Sequence, residues 1–219
     1  RFNKNCNSIC MQIRLLLTTL ISVLLLNQLV AQNIFDPNDP LVRYSASAPL
    51  GSPQRPNPDI DGLQKWVSTP VTGISTGGGS FDVSPFKAYF LKVGNARMAF
   101  RIRFPKNYTN PAYADSTFPA MVFFHGAGEF ACNSNNGYYN NEKQLTHGAK
   151  FFNDKVNSGA FDGFLIYPHL NSGSNCWGAW GGVSENTYGL VIKMVDSLVK
   201  YARLNPDRVI ATGLSAGGT

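Results

Sequence analysis

The sequence is short of charge and short of histidine. Only 15% of its 219 residues are Asp, Glu, Lys or Arg, and its histidines are three, His125, His147 and His169. The formal net charge of +6 overstates the basic character. Arg1, Lys4 and Arg14 precede an expected cleavage point and no acidic residue does, so the remainder carries about +3, scattered along the chain. That is too weak for a basic face that binds nucleic acid. No internal repeat is visible, and no apolar run reaches the roughly 20 residues that cross a bilayer. No metal site and no cofactor is expected. A hydrophobic content of 43% with 12% aromatics is ordinary for a globular protein and excludes global disorder, and the length allows one sizeable core.

The N-terminal stretch has a specific pattern. Met11-Gln12-Ile13-Arg14 supplies a positive start, Leu15 to Leu26 an apolar run, and Leu29-Val30-Ala31 small residues suited to cleavage. This is the form of a secretory signal peptide over 11–32, cut after Ala31 or Gln32, with 1–10 as upstream read-through. Asn27 and Gln28 interrupt the run and argue against a membrane anchor. Export to a periplasmic or extracellular space removes Cys6 and Cys10. It leaves Cys132 and Cys176 as an even pair in an oxidising compartment, where a disulfide is expected.

Residues 33–80 are rich in Pro, Asn, Ser and Gly, with Pro49, Pro53, Pro56 and Pro58 closely spaced, and are expected to form an extended arm. Strand patterns begin after it. Lys87–Val93 and Arg97–Phe104 flank Gly94-Asn95 as a hairpin, the second arm alternating apolar with basic residues as a half-exposed strand does. Ala120–Phe124 and Phe164–Tyr167 are apolar runs of the kind covered on both faces, and Val209–Thr212 makes a fifth strand. Helical spacing occupies 140–157, where Gly148 weakens it, and 187–204, with Leu190, Val191, Met194, Val195, Leu198, Val199 and Ala202 on one face. Antiparallel strands followed by alternating strands and helices predict an α/β fold with a mostly parallel sheet over 81–219.

Two short motifs carry the chemistry. Gly213-Leu214-Ser215-Ala216-Gly217 directly follows the run Val209–Thr212. Gly-x-Ser-x-Gly after a strand has the form of a nucleophile elbow, a sharp strand-to-helix turn that lifts a serine hydroxyl above the sheet. Ser215 is therefore the candidate nucleophile, while Gly213 and Gly217 lack side chains because the turn crowds its neighbours. A bland loop after an edge strand is the competing reading. His125-Gly126-Ala127-Gly128-Glu129 follows Phe124. Acyl transfer needs two amides aimed at the developing oxyanion, and small residues let one approach from such a loop. Ala216 and Ala127 are the candidate donors, with Gly126 in place of Ala127 as the fallback.

The pair His125–Glu129 and Asp207–Gly218 resembles the α/β-hydrolase superfamily. It is most similar to the secreted esterase branch that includes polyhydroxybutyrate depolymerase-like and feruloyl or acetyl xylan esterase-like proteins, with the likeness running from Phe81 to Thr219. The resemblance implies serine hydrolysis of small-molecule or polysaccharide-linked carboxylic esters. It also implies a triad in the chain order Ser, then Asp or Glu, then His. All three histidines precede Ser215, so none matches the base, and the given residues are expected to be the N-terminal part of a longer enzyme, nearly inactive by themselves. His125 is then structural, its ring bonded to backbone, and His147 and His169 are surface or loop residues. Glu129 either orients the oxyanion loop or merely begins a helix.

In that superfamily the third and fourth strands are neighbours, which would bring the loops carrying Cys132 and Cys176 side by side and make their disulfide sensible. Trp177 and Trp180 on the second loop form either an apolar platform for substrate or a cover for the sheet edge. Two other readings stay open. One is a peptidase of the prolyl-oligopeptidase kind, and the other a non-catalytic carbohydrate-binding or adhesin module on a decayed hydrolase fold.

Overall fold

Apolar residues at two-residue and at three-to-four-residue spacing sort the chain into a sheet and the helices that cover it. A computed structural model of the chain describes residues 34–39, 44–52, 54–65, 74–76, 79–129, 141–169 and 185–218, with 74–76, 79–80 and 185–187 as backbone only. Its strands are β1 (Gly62–Lys65), β2 (Ile74–Thr76), β3 (Gly79–Phe81), β4 (Phe86–Val93), β5 (Ala96–Arg103), β6 (Phe118–Phe124), β7 (Phe164–His169) and β8 (Leu204–Gly213). Two α-helices are described, α1 (Ala149–Ser158) and α2 (Glu185–Tyr201).

Six strands form one mixed sheet in the order β1-β4-β5-β7-β6-β8, and β2 and β3 pair separately. The pairs β1/β4, β4/β5 and β5/β7 are antiparallel, whereas β6 is parallel to both β7 and β8. The hairpin expected around Gly94 is present as β4 and β5, with Gly94 at φ 57° in the turn. The crossover β6-α1-β7 skips no strand, while β7-α2-β8 returns past β6 to its far side. Parallel strands need such helical crossovers, and these place the C-terminal ends of β6 and β8 side by side.

Each face of the sheet has its own core. On one, Met98, Phe100, Ile102, Ala120, Val122, Phe164 and Ile166 pack under Leu190, Val191, Met194 and Leu198 of α2. On the other, Phe86, Met121, Phe123, Leu165 and Tyr167 pack against Ala149 and Val156 of α1. The apolar stripe read along 187–204 is thus the buried face of α2, and the opposite side leaves Ile192 exposed.

Four local expectations change. The helix read over 140–157 divides at Gly148, whose φ of 79° ends a separate turn at Lys143–Leu145 before α1 begins. A side chain there would also meet the Phe123 ring. The β8 strand starts earlier than Val209, but Asn205–Arg208 bulge out of register, since Leu204 pairs with Phe118 and Val209 with Ala120. β5 is not half-exposed. It lies inside the sheet, and Arg101 is fully buried, donating to the Phe86 carbonyl at 2.6 Å, the Asn141 carbonyl at 2.5 Å and Glu142 Oε1 at 2.8 Å. Burial pushes its guanidinium down to about 10, against the pull of Glu142. Finally, part of the arm lies on the sheet: β1 pairs with β4, and Phe35 is buried 5.0 Å from the Tyr89 ring. Residues 11–32 lie outside the described ones.

Candidate active site

The end of β8 carries the backbone strain. Leu214 is still extended, at φ −116° and ψ 132°, and donates its N–H to the Phe124 carbonyl at 3.1 Å. Ser215 then turns to φ 51°, a left-handed value that a residue with a Cβ rarely adopts, and opens a short 3₁₀ turn, Ser215–Gly217. Holding serine there costs about 1–3 kcal/mol and persists because the surroundings over-determine it.

Those surroundings explain the two glycines. A Cβ on Gly213 would come closer than 3.0 Å to the carbonyl of Gly217 and to that of Phe124. One on Gly217 would meet the carbonyls of Phe124 and His125 equally closely. The turn therefore folds back onto the end of β6, and the sequence expectation that both positions must be bare has a direct steric cause. Ser215 is exposed at the crest of the turn, and no described side chain hydrogen-bonds its hydroxyl. Ala216 is buried beneath it.

The loop after β6 comes to the same place. A Cβ built on Gly126 would lie 3.4 Å from the Leu214 carbonyl and 3.7 Å from Ser215 Cβ. The structure thus brings the two motifs, separated by nearly ninety residues of chain, into contact. Gly126 to Glu129 forms a turn closed by the Glu129 N–H on the Gly126 carbonyl at 3.3 Å, with Gly128 at φ 92°. His125 Nδ1 lies 3.0 Å from the same carbonyl. A carbonyl only accepts, so Nδ1 carries the proton. Burial holds the imidazole neutral by pushing its pKa down to about 4. His125 is thereby the backbone-bonded residue the sequence suggested.

His169 departs from expectation, and Glu129 is placed where the sequence left two readings open. His169, read as a surface or loop position, is fully buried on β7, its ring 5.6 Å from that of His125. Burial, with the neighbouring His125, pushes it down to about 3. Apolar flanks hid this: Phe164–Tyr167 ends a clear strand pattern, and the two further residues that pair with β5 carry no periodic signal. Glu129 is also buried. Its Oε2 accepts the Gly126 N–H at 2.6 Å and its Oε1 the Nδ1–H of half-exposed His147 at 2.5 Å. The amide of Gly126 is therefore occupied, whereas Ala127 is exposed at the tip of the loop with no partner for its N–H among the described residues.

Cys132, Cys176, Trp177 and Trp180 lie outside the described residues. A cavity of about 640 Å³ opens at the opposite end of the sheet, between Phe118, Pro119, Asp162 and Ile210, away from Ser215. Among the described residues no cluster of three His, Cys, Asp or Glu side chains is placed to hold a metal, and no helix is long and apolar enough to cross a membrane.

No family model and no curated protein matches the chain. Among solved structures it is similar to a thermostable esterase, at 23% identity and a TM-score of 0.49, over 67% of this chain and 42% of that one. It is also similar to a ferulic acid esterase, at 19% identity and a TM-score of 0.40, over 60% of this chain and 52% of that one. The chain thus spans about half, or less, of the length of these structures.

Proposed function

We propose that the protein is a secreted serine hydrolase of carboxylic esters built on an α/β-hydrolase fold, with Ser215 as nucleophile. One observation carries the reading: a serine held at φ 51° on the turn after a parallel strand, beside the glycine loop of the strand next to it. In the mechanism, Ser215 Oγ attacks the ester carbonyl and forms a tetrahedral intermediate. A general base takes the Oγ proton and returns it to the leaving oxygen, the amides of Ala216 and Ala127 stabilise the oxyanion, the alcohol departs, and water, deprotonated by the same base, hydrolyses the acyl-serine. Occupation of the Gly126 amide by Glu129 favours Ala127 over Gly126 as the second donor.

The general base belongs to a residue other than the three histidines. His125 and His169 are buried, and among the described residues His147 bonds Glu129 through its Nδ1–H and makes no hydrogen bond to Ser215. The order implied by the resemblance puts acid and base after Ser215 in the chain. Export rests on residues 11–32. A Cys132–Cys176 bridge and a Trp177/Trp180 substrate platform complete the reading from residues outside those described.

Strain at Ser215 also favours an enzyme over a binding module, which gains nothing from a left-handed serine. Ester cleavage separates from peptidase action by assay on p-nitrophenyl esters against peptide amides. In the intact protein, Ser215→Ala should abolish ester turnover and labelling by a fluorophosphonate while leaving the melting temperature within a few degrees. Unchanged turnover in that variant would remove the nucleophile assignment.

A further inference from the structure

The loop after β6 holds more hydrogen bonds at one residue than its length requires. Both peptide planes flanking Gly126 are tied down. The plane joining His125 and Gly126 donates its N–H to Glu129 Oε2 at 2.6 Å. The plane joining Gly126 and Ala127 accepts at its carbonyl from His125 Nδ1–H at 3.0 Å and from the Glu129 N–H at 3.3 Å. A trans peptide is planar, with its N–H opposed to its C=O. Drawing the Gly126 carbonyl inward to His125 and Glu129 therefore turns the Ala127 N–H outward. Glycine at 126 would otherwise leave these planes free to rotate.

Glu129 closes this arrangement at a cost, since a buried carboxylate loses hydration unless donors replace it. Here the replacements are the Gly126 amide on one oxygen and the imidazole of His147 on the other, both at charge-assisted distances. No apolar residue could hold the Gly126 amide in this way, and a water would leave the loop free to move.

We propose that Glu129, held in turn by His147, is a positioning residue that orients the Ala127 amide toward the oxyanion formed at Ser215. The inference rests on the ester-hydrolase reading above. In this role Glu129 acts through the backbone of Gly126 and Ala127. The residue is one the sequence left open, between orienting the loop and starting a helix.

The test uses the intact protein with p-nitrophenyl acetate, comparing Glu129→Ala, Glu129→Gln and His147→Ala with the parent. An amide preorganised for the oxyanion acts in the transition state alone. Glu129→Ala should therefore lower kcat about 10- to 100-fold with KM within about twofold. Glu129→Gln keeps a neutral acceptor of the same shape, and should recover most of that loss. His147→Ala should cost a few-fold in kcat, again without a change in KM. A purely structural role would instead leave kcat per folded molecule unchanged, or move KM and the melting temperature together, and either result would overturn the proposal.

A second readout is independent of turnover. The Gly126 amide proton should resonate far downfield in the parent and shift upfield in Glu129→Ala, which removes its acceptor. An unmoved resonance overturns the proposal even if ester turnover proves independent of Ser215. If Ser215→Ala is inactive and Glu129→Ala is fully active, the positioning role fails and the ester-hydrolase reading stands.

Discussion

The two turns that meet at Ser215 are built by opposite means. The turn after β8 is shaped by absent atoms: Gly213 and Gly217 have no side chains, and a Cβ on either would meet the Phe124 carbonyl at the end of β6. The loop after β6 is shaped by side chains, with His125 and Glu129 anchoring the two peptide planes at Gly126. The first is fixed by exclusion and tolerates no addition. The second is fixed by hydrogen bonds to buried polar groups and depends on the His125 ring staying neutral where it is buried. Each turn should therefore break under a different perturbation.

The largest effect is expected at Gly217. In Gly217→Ala the new methyl group falls on the Phe124 and His125 carbonyls, which cannot move without distorting both turns. A loss on the order of 4 kcal/mol is expected in urea unfolding, well above the roughly 0.5–1 kcal/mol by which alanine usually stabilises an ordinary glycine position. A small change would mean that the two turns are not in contact.

Acid should act on the other turn. The pKa of His125 is depressed to about 4 and that of His169 to about 3, from an ordinary 6.5. Between these values the unfolded chain takes up protons that the folded chain refuses. The stability contributed by the neutral rings is full above about pH 6.5 and is lost as the pH falls toward 4, by roughly 3 kcal/mol from His125 alone. Melting temperatures measured from pH 7 to pH 4 should fall accordingly, with a shallower slope in His169→Gln. A slope unchanged by that substitution would show that His169 is not the buried group responsible.

The smallest effect sharpens the comparison. Ser215→Gly relieves the left-handed φ and should stabilise the protein by about 1 kcal/mol while removing the proposed nucleophile, as read by thermal unfolding. Destabilisation would mean that the strain assigned to Ser215 is absent.

Much of this was legible in the chain, and unevenly so. The elbow and the glycine loop show in sequence because their requirements are steric and local: a bare residue two positions either side of the serine, small residues after an apolar strand. The hairpin and the stripe of α2 show for the same reason, as periods of two and of 3.6. Arg101 and His169 did not show. Arg101 looks like the polar side of a half-exposed strand until Asn141 and Glu142, some forty residues away, close over it. His169 is two residues past a visible apolar run, and its burial comes from pairing with Ala99 and from the ring of His125. Glu129 stood between two roles until His147 and the Gly126 amide were placed against its oxygens.

The sequence by itself determined the residue types that permit a strained serine and a tight glycine loop, along with the strands and helices that flank them. Steric exclusion and helical or strand period act over a few residues and need no partner to be recognised. Only the tertiary structure decided that the two turns touch, which amide at Gly126 or Ala127 is left outward, and which charged side chains are buried. Those outcomes depend on chain crossovers that set strands side by side. They depend also on hydrogen bonds whose donors and acceptors are distant in sequence and selected by geometry.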